Sequence, residues 1–513
     1  MPIHSATGLI GILAALLAVE GVRKIRRNAN RPPLPPGPTP VPFIGNIIGM
    51  DVDAPYITYA EWAKMYGDLL YTYLLNQEII VISSEKIAIE LLDKRSVKYS
   101  DRPVVATADM FGFGWTTSLA RYGPRLKLHR KIFHQTFLAN TVASYRPKLL
   151  QKAYGMLLHV LQDQDNYAAH IETFTASVVM AVTYGYDASP GDPLVKTMKY
   201  ATDTFLAVAT PERAALFGAF PILKSLPSWF PFMSFKREAA ECKKSIARAI
   251  EEPYEFVKRS IDEGTASQSM VSDAISNFLV GDDAKDPALV QVIKESSATV
   301  YGAAVETTNS TILVFLYLMA LHPEVQARAQ AEIDSVVGTE RLPDFHDQPS
   351  LPYVEAIIRE TMRWNPVTPV LPHATSEDDV YNGYYIPKGA TVLMNLWAMS
   401  RNEEMYPNPS VFLPERFLNN DGTLTDDNVS WIFGFGRRIC PGRYMGRASL
   451  WAAMVCILAF FRVERPKGSK EVKWTKGLTS HPLPFECSFI PRHKSVNAEK
   501  LASLISSSRL QDI

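Results

Sequence analysis

The sequence predicts a mainly α-helical fold with small β-sheets, preceded by an N-terminal membrane helix. Three observations carry that prediction. Apolar residues recur three and four positions apart along much of the chain, alternating β patterns are few and short, and an early apolar run gives way at once to basic residues. With 513 residues, 47% of them hydrophobic, the chain can bury a large core. Lys plus Arg and Asp plus Glu balance at 53 each, so no bulk field draws nucleic acid or an acidic partner. Cys242, Cys440, Cys456 and Cys487 show no CxxC pairing. That argues against structural zinc and a disulfide framework, and fits a reduced, cytosol-facing catalytic portion.

The apolar run Leu9 to Val19 is followed by Arg23, Lys24, Arg26 and Arg27. It is shorter than the roughly 20 residues of an ideal span, and neighbours on both sides extend it around Glu20. A cleaved signal peptide wants its basic residues before the apolar stretch, whereas here they follow it. The expectation is therefore a retained single-pass anchor over residues 1–22, with everything after it cytosolic by the positive-inside rule. Residues 23–42 form a basic and proline-rich hinge. Proline fixes φ and removes donors, so the segment 31–42 reads as a stiff, non-helical spacer.

From residue 43 to 495 there is no internal repeat and no second proline-rich linker, so one large catalytic domain is expected, with 496–513 as a tail. Helical periodicity marks 139–160, 236–263, 286–320, 322–337, 352–364 and 442–461. The segment 71–83 reads as a hairpin around Asn76 and Gln77, and 380–395 as strands joined at Asn382 and Gly383. In 221–237, Trp229, Phe230, Phe232 and Phe235 crowd a proline-punctuated stretch. Two readings of it stay open, a core edge or a second membrane contact beside a substrate entrance.

Residues 433–442 place Phe433, Gly436, Arg438, Cys440 and Gly442 just before a strongly helical stretch. A cysteine at a helix start meets unpaired backbone donors and the positive end of the dipole, which favour the thiolate, the form that binds metal. Gly436 and Gly442 remove Cβ where backbone turns tightly or lies against a flat ring. Phe433 can pack beside the sulfur, and Arg438 can meet a carboxylate. Elsewhere, Glu360 and Arg363 share a helix face at three-residue spacing, and Glu306, Thr307 and Thr308 interrupt an otherwise apolar helix.

The pattern Phe433-x-x-Gly436-x-Arg438-x-Cys440-x-Gly442 is similar to the haem-binding signature of the cytochrome P450 family, and the likeness extends over nearly the whole chain. The resemblance implies that family's fold, an α-helical haem-binding domain with a small β-rich region. It implies haem b (iron protoporphyrin IX) with Cys440 as axial thiolate. Glu360, Arg363 and Arg416, the last within Pro414–Phe417, match a buried structural triad. Glu306 and Thr307 match a proton relay that assists O–O cleavage, although Ala304 stands where the family usually has glycine. Arg130 and His373 fall at propionate-binding positions, yet Leu126 replaces the usual tryptophan four residues before Arg130, leaving Lys127 as an assisting cation.

The implied reaction inserts one oxygen atom from O2 into a lipophilic small molecule. The electrons come from NADPH through NADPH–cytochrome P450 reductase, with cytochrome b5 as a further partner. The texture resembles fungal microsomal members, which implies an endoplasmic reticulum membrane location and a terpenoid or other secondary metabolite as substrate. Substrate-facing candidates are the loop 103–120, Val300 to Thr307, Val367 to Leu371 and Leu478–Thr479. Two other classes stay open, a haem-thiolate isomerase or dehydratase that needs no reductase, and a non-catalytic haem-binding protein.

Overall fold

The computed structural model describes residues 31–226, 235–281, 286–493 and 497–509, apart from Phe43 and Asn76. The expected anchor over 1–22 and the basic half of the hinge lie outside the described residues, as do Trp229, Phe230 and Phe232. Phe235 is buried and packs edge-on against Phe217 at 4.7 Å, which is a core role. The chain divides into two compact units, one of residues 1–103, 370–399 and 435–438, the other of residues 104–369, 400–434 and 439–513.

The first unit holds most of the β-structure. Strands β1 (Leu69–Leu74) and β2 (Gln77–Ile82) form the expected hairpin. β3 (Val370–Ala374), β4 (Asp379–Tyr381), β5 (Tyr384–Ile386) and β6 (Thr391–Asn395) follow late in the chain. One sheet runs β1-β2-β6-β3, with β2 and β6 parallel, and β4 pairs with β5 alone. The β4–β5 turn places Asn382 and Gly383 at φ 50° and 79°, the left-handed pair that matches strand twist in a tight hairpin. Tyr59 and Trp62, from the helix Pro55–Tyr66, cover Leu70, Ile79 and Val81.

The proline-rich segment is non-helical, as expected, but it is docked rather than a free spacer. Pro33 O accepts from Tyr385 N at 2.8 Å and Pro36 O from Tyr71 N at 2.8 Å. A Cβ on Gly37 would fall 1.8 Å from Tyr71 O, so only glycine fits. Proline lacks a donor but keeps its carbonyl, which lets such a strip serve as an acceptor edge.

The second unit is helical. Its long helix, Pro287–Leu321, starts where Asp286 accepts from Ala288 N and Pro287 fills the first turn, and ends ahead of Pro323. Its composition would suit a membrane span, yet 56% of its most apolar window is buried within the protein. It packs against Tyr167–Tyr184 and Arg443–Phe460. The helix expected over 139–160 is two, Ala139–Ser144 and Arg146–Gln162, because Pro147 removes a donor and restricts the residue before it. β7 (Phe461–Glu464) and β8 (Ser488–Pro491) close the unit as an antiparallel pair.

Candidate active site

Cys440 lies in the turn ahead of the helix Arg443–Phe460, its N–H donating to Phe433 O at 2.8 Å. The Gly442 N–H bonds the sulfur, and the guanidinium charges of Arg130 and Arg443 bear on it. Even so, burial is the largest influence and pushes the thiol pKa up, so in the chain alone the helix-start donors do not win the thiolate outright. A coordinated metal ion reverses that balance by deprotonating the thiol directly. The other cysteines meet burial alone, which holds Cys242 up at about 11 and Cys487 at about 12 and raises Cys456 further. Only Cys440 has groups that favour its anion.

Arg130 Nη1 donates to Ile439 O at 2.6 Å and Arg443 Nη1 to Cys440 O at 3.1 Å, so both cations clasp the carbonyls beside the sulfur. The structure thus puts Arg130 on the thiolate turn. Lys127 is turned to the Tyr122 ring at 5.6 Å, and Leu126 is buried. Phe433 is half-buried, with the Arg447 guanidinium 5.6 Å from its ring centre. Gly442 has an ordinary φ of −85°, and a Cβ there would come no closer than 4.0 Å to Cys440 Sγ. Its glycine is therefore not required by the backbone but leaves room beside the sulfur. Among the described residues no three His, Cys, Asp or Glu side chains converge as a metal-binding set. A porphyrin supplies the remaining ligands to an iron held by a single protein sulfur.

In the first unit, Gly436 has φ +58° and a Cβ there would lie 1.9 Å from Leu92 O, so its glycine is obligatory. Arg438 is buried and donates from Nε to Ser100 O at 2.8 Å. His373 is buried, its Nδ1 2.7 Å from Tyr99 O, and burial with the nearby Arg102 and Arg438 holds its pKa well below the ordinary value. The ring is therefore neutral. Arg102 was not anticipated: its Nε and Nη1 are shut off from solvent and meet no acceptor among the described residues. Burial, reinforced by Arg438, presses its pKa down to about 9. Two neighbouring guanidinium groups, one with orphaned donors, are the surroundings that an anionic carboxylate such as a haem propionate fits.

Glu360, Arg363 and Arg416 form the triad expected of them. Arg363 Nε and Nη2 grip the Glu360 carboxylate at 2.6 and 2.8 Å, and Arg416 Nε reaches Oε1 at 3.2 Å. Arg363 Nη1 also donates to Ser400 O at 2.7 Å and Pro409 O at 2.9 Å. The triad thereby ties the helix Pro352–Trp364 to the irregular segment before the cysteine turn.

Glu306 and Thr307 sit on the long helix but are not bonded to each other. The Thr307 hydroxyl donates to Ala303 O at 2.9 Å, the local bond a helical threonine favours. Glu306 Oε1 instead accepts from Thr479 Oγ1 at 3.1 Å and lies 3.4 Å from His481 Nε2. The His481 bond is the largest influence on Glu306 and, with Thr479, holds its pKa low against burial. A cavity of about 150 Å³ is lined by Phe113, Trp115, Phe205, Ile246, Thr299 and Ala303, among others. The loop 103–120 and the long helix were expected there. Phe205, from the helix Pro193–Val208, and Ile246, from Phe235–Asp262, were not.

Comparison with known proteins follows the same line. A family model described as Cytochrome P450 matches residues 35–489. The chain is 36% identical over 509 residues to the cytochrome P450 monooxygenase claR of Ampulloclitocybe clavipes, an alignment covering 97% of this chain and 92% of the relative. It is 35% identical over 497 residues to the cytochrome P450 monooxygenase COX1 of Coprinopsis cinerea, covering 94% and 96%. It is also 36% identical over 513 residues to the cytochrome P450 monooxygenase 208 of Postia placenta, covering 98% of each.

Proposed function

The chain belongs to the cytochrome P450 family and is a haem-thiolate monooxygenase by that membership, and we propose that it oxidises a lipophilic small molecule, a terpenoid or other secondary metabolite, with electrons from NADPH. The observation that carries this reading is the Cys440 sulfur, the one thiol with an N–H donor and two guanidinium charges beside it. Haem bound to it supplies the activation of dioxygen and the transfer of one oxygen atom.

Around that group the protein's own residues bind, orient and supply protons. Cys440 would hold the iron, with Arg130 and Arg443 fixing the carbonyls on either side of it. Arg102, Arg438 and His373 would take the propionates, and Arg102 has the donors to spare. His373 commits Nδ1–H to Tyr99 O, so its neutral ring offers a lone pair at Nε2 and joins a carboxylate as a donor only when a proton is taken up there. Glu306 would pass protons to the reacting oxygen, and Thr307 orients once its hydroxyl leaves Ala303 O. The apolar walls of the cavity favour a lipophilic substrate and exclude water.

NADPH–cytochrome P450 reductase would be the electron donor, with cytochrome b5 as a further partner. The apolar run before the basic cluster supports anchorage in the endoplasmic reticulum membrane with the catalytic domain, residues 43–495, in the cytosol. The test is the absorption spectrum of the reduced, carbon-monoxide-bound protein alongside NADPH consumption with reductase and candidate precursors. Thiolate ligation and substrate-dependent turnover are expected from the parent, and Cys440→Ala should abolish both. Turnover of a peroxide without reductase would favour an isomerase instead.

A further inference from the structure

Glu306 gains its partners from the turn 475–482, which is held in place from two sides. Thr475 N donates to His481 O at 2.9 Å, His481 N to Thr475 Oγ1 at 3.0 Å, and Thr475 Oγ1 to Thr479 O at 2.9 Å. Between them, Ser480 N donates to Val367 O at 2.8 Å and Asn365 Nδ2 to Ser480 O at 2.7 Å. Thr479 and His481 are therefore presented to Glu306 on a pinned backbone.

Proton counting then restricts the pair. His481 Nδ1 lies 3.0 Å from Pro482 O, and a carbonyl only accepts, so Nδ1 carries a hydrogen. Nε2 faces Glu306 Oε1, and a bare nitrogen there would oppose one lone pair to another. At 3.4 Å the contact becomes an ion pair when Nε2 carries a second proton, imidazolium beside carboxylate. Lys199 also faces Glu306, but it is engaged with Glu172 and Asp203.

We propose that His481 is a positioning residue that stores the proton Glu306 delivers, an inference that rests on the monooxygenase reading above. The step balances without electrons. The Nε2 proton moves to Oε1, leaving a neutral imidazole with its Nδ1 hydrogen. Glu306 passes its proton to the reacting oxygen and returns to carboxylate, and Nε2 is reprotonated from solvent, to which the ring is 12% exposed.

The test uses haem-loaded full-length protein and diethyl pyrocarbonate, which acylates only an unprotonated ring nitrogen. Modification of His481 is followed over time by peptide mass mapping. Removing the carboxylate in Glu306→Gln should make His481 Nε2 acylate several-fold faster than in the parent at the same pH, because no adjacent anion then holds a proton there. An unchanged acylation rate overturns the proposal. His481→Gln keeps an N–H for Glu306 but cannot supply a titrating proton. It should slow turnover about 100-fold, raise peroxide release and flatten the pH profile while the thiolate spectrum stays intact. Parent-like turnover and pH profile in that variant also overturn the proposal. If His481→Gln loses its thiolate spectrum, the acylation comparison decides alone. Failure of the underlying reading looks different, because the parent itself would then lack the thiolate spectrum and NADPH-dependent turnover.

Discussion

Replacing Arg102 with methionine should move the haem-free and haem-loaded protein in opposite directions. In the chain alone, this guanidinium has two N–H groups closed off from solvent, no acceptor for them among the described residues, and Arg438 beside it. Burial, reinforced by Arg438, presses its pKa down from the ordinary guanidinium value to about 9. Each tenfold change in proton affinity is about 1.4 kcal/mol, so the buried charge is penalised by on the order of 5 kcal/mol. Local relaxation and water entry reduce that, and replacing buried charge with an apolar side chain of similar volume commonly stabilises by about 1–4 kcal/mol. The haem-free variant should therefore resist urea better than the parent. With propionates present, the same donors make charge-assisted hydrogen bonds contributing about 1.5–3 kcal/mol each. Their loss should speed haem transfer to an excess globin scavenger by about 100-fold or more. A haem-free variant less stable than the parent, with haem release unchanged, would refute the reasoning and make Arg102 a purely structural cation.

Arg363→Ala strands the Glu360 carboxylate with Arg416 as its remaining cation and removes donors from two carbonyls, so a stability loss of about 3–5 kcal/mol and failure to retain haem are expected by denaturant titration and haem content. Arg363→Lys, which lacks the paired geometry, should recover only part of this, and full recovery would show that charge alone suffices. The depressed pKa of His373 gives the haem-free chain a definite pH dependence. Above about pH 6.5 both folded and unfolded chains hold the ring neutral, so its contribution is fully present. As pH falls below that value the unfolded chain binds a proton that the folded chain refuses, and stability drops by about 1.4 kcal/mol per pH unit until the folded ring titrates. His373→Gln should flatten this acid limb in urea titrations across pH.

What the sequence made legible is what short-range pattern can encode. Glu360 and Arg363 are three apart on one helix, and the cysteine turn spells its glycines, arginine and sulfur within ten residues, so their roles are local in the chain. The helices were legible for the same reason, except where Pro147 divided a continuous apolar period. Residues that matter through distant partners gave no such signal. Arg102 sits outside any periodic element, and its importance comes from Arg438, far along the chain, and from the acceptors its buried donors lack. His481 carries no signal of its own in the sequence, and its link to Glu306 exists because Ser480 and Thr475 pin its turn. Thr307 carries a further lesson. A motif places the residue, but a helical threonine can bond its own backbone, and here it does so. Glu306 is held by Thr479 and His481 rather than by Thr307. The proton route proposed above therefore rests less on the neighbouring pair in sequence than on a histidine far along the chain.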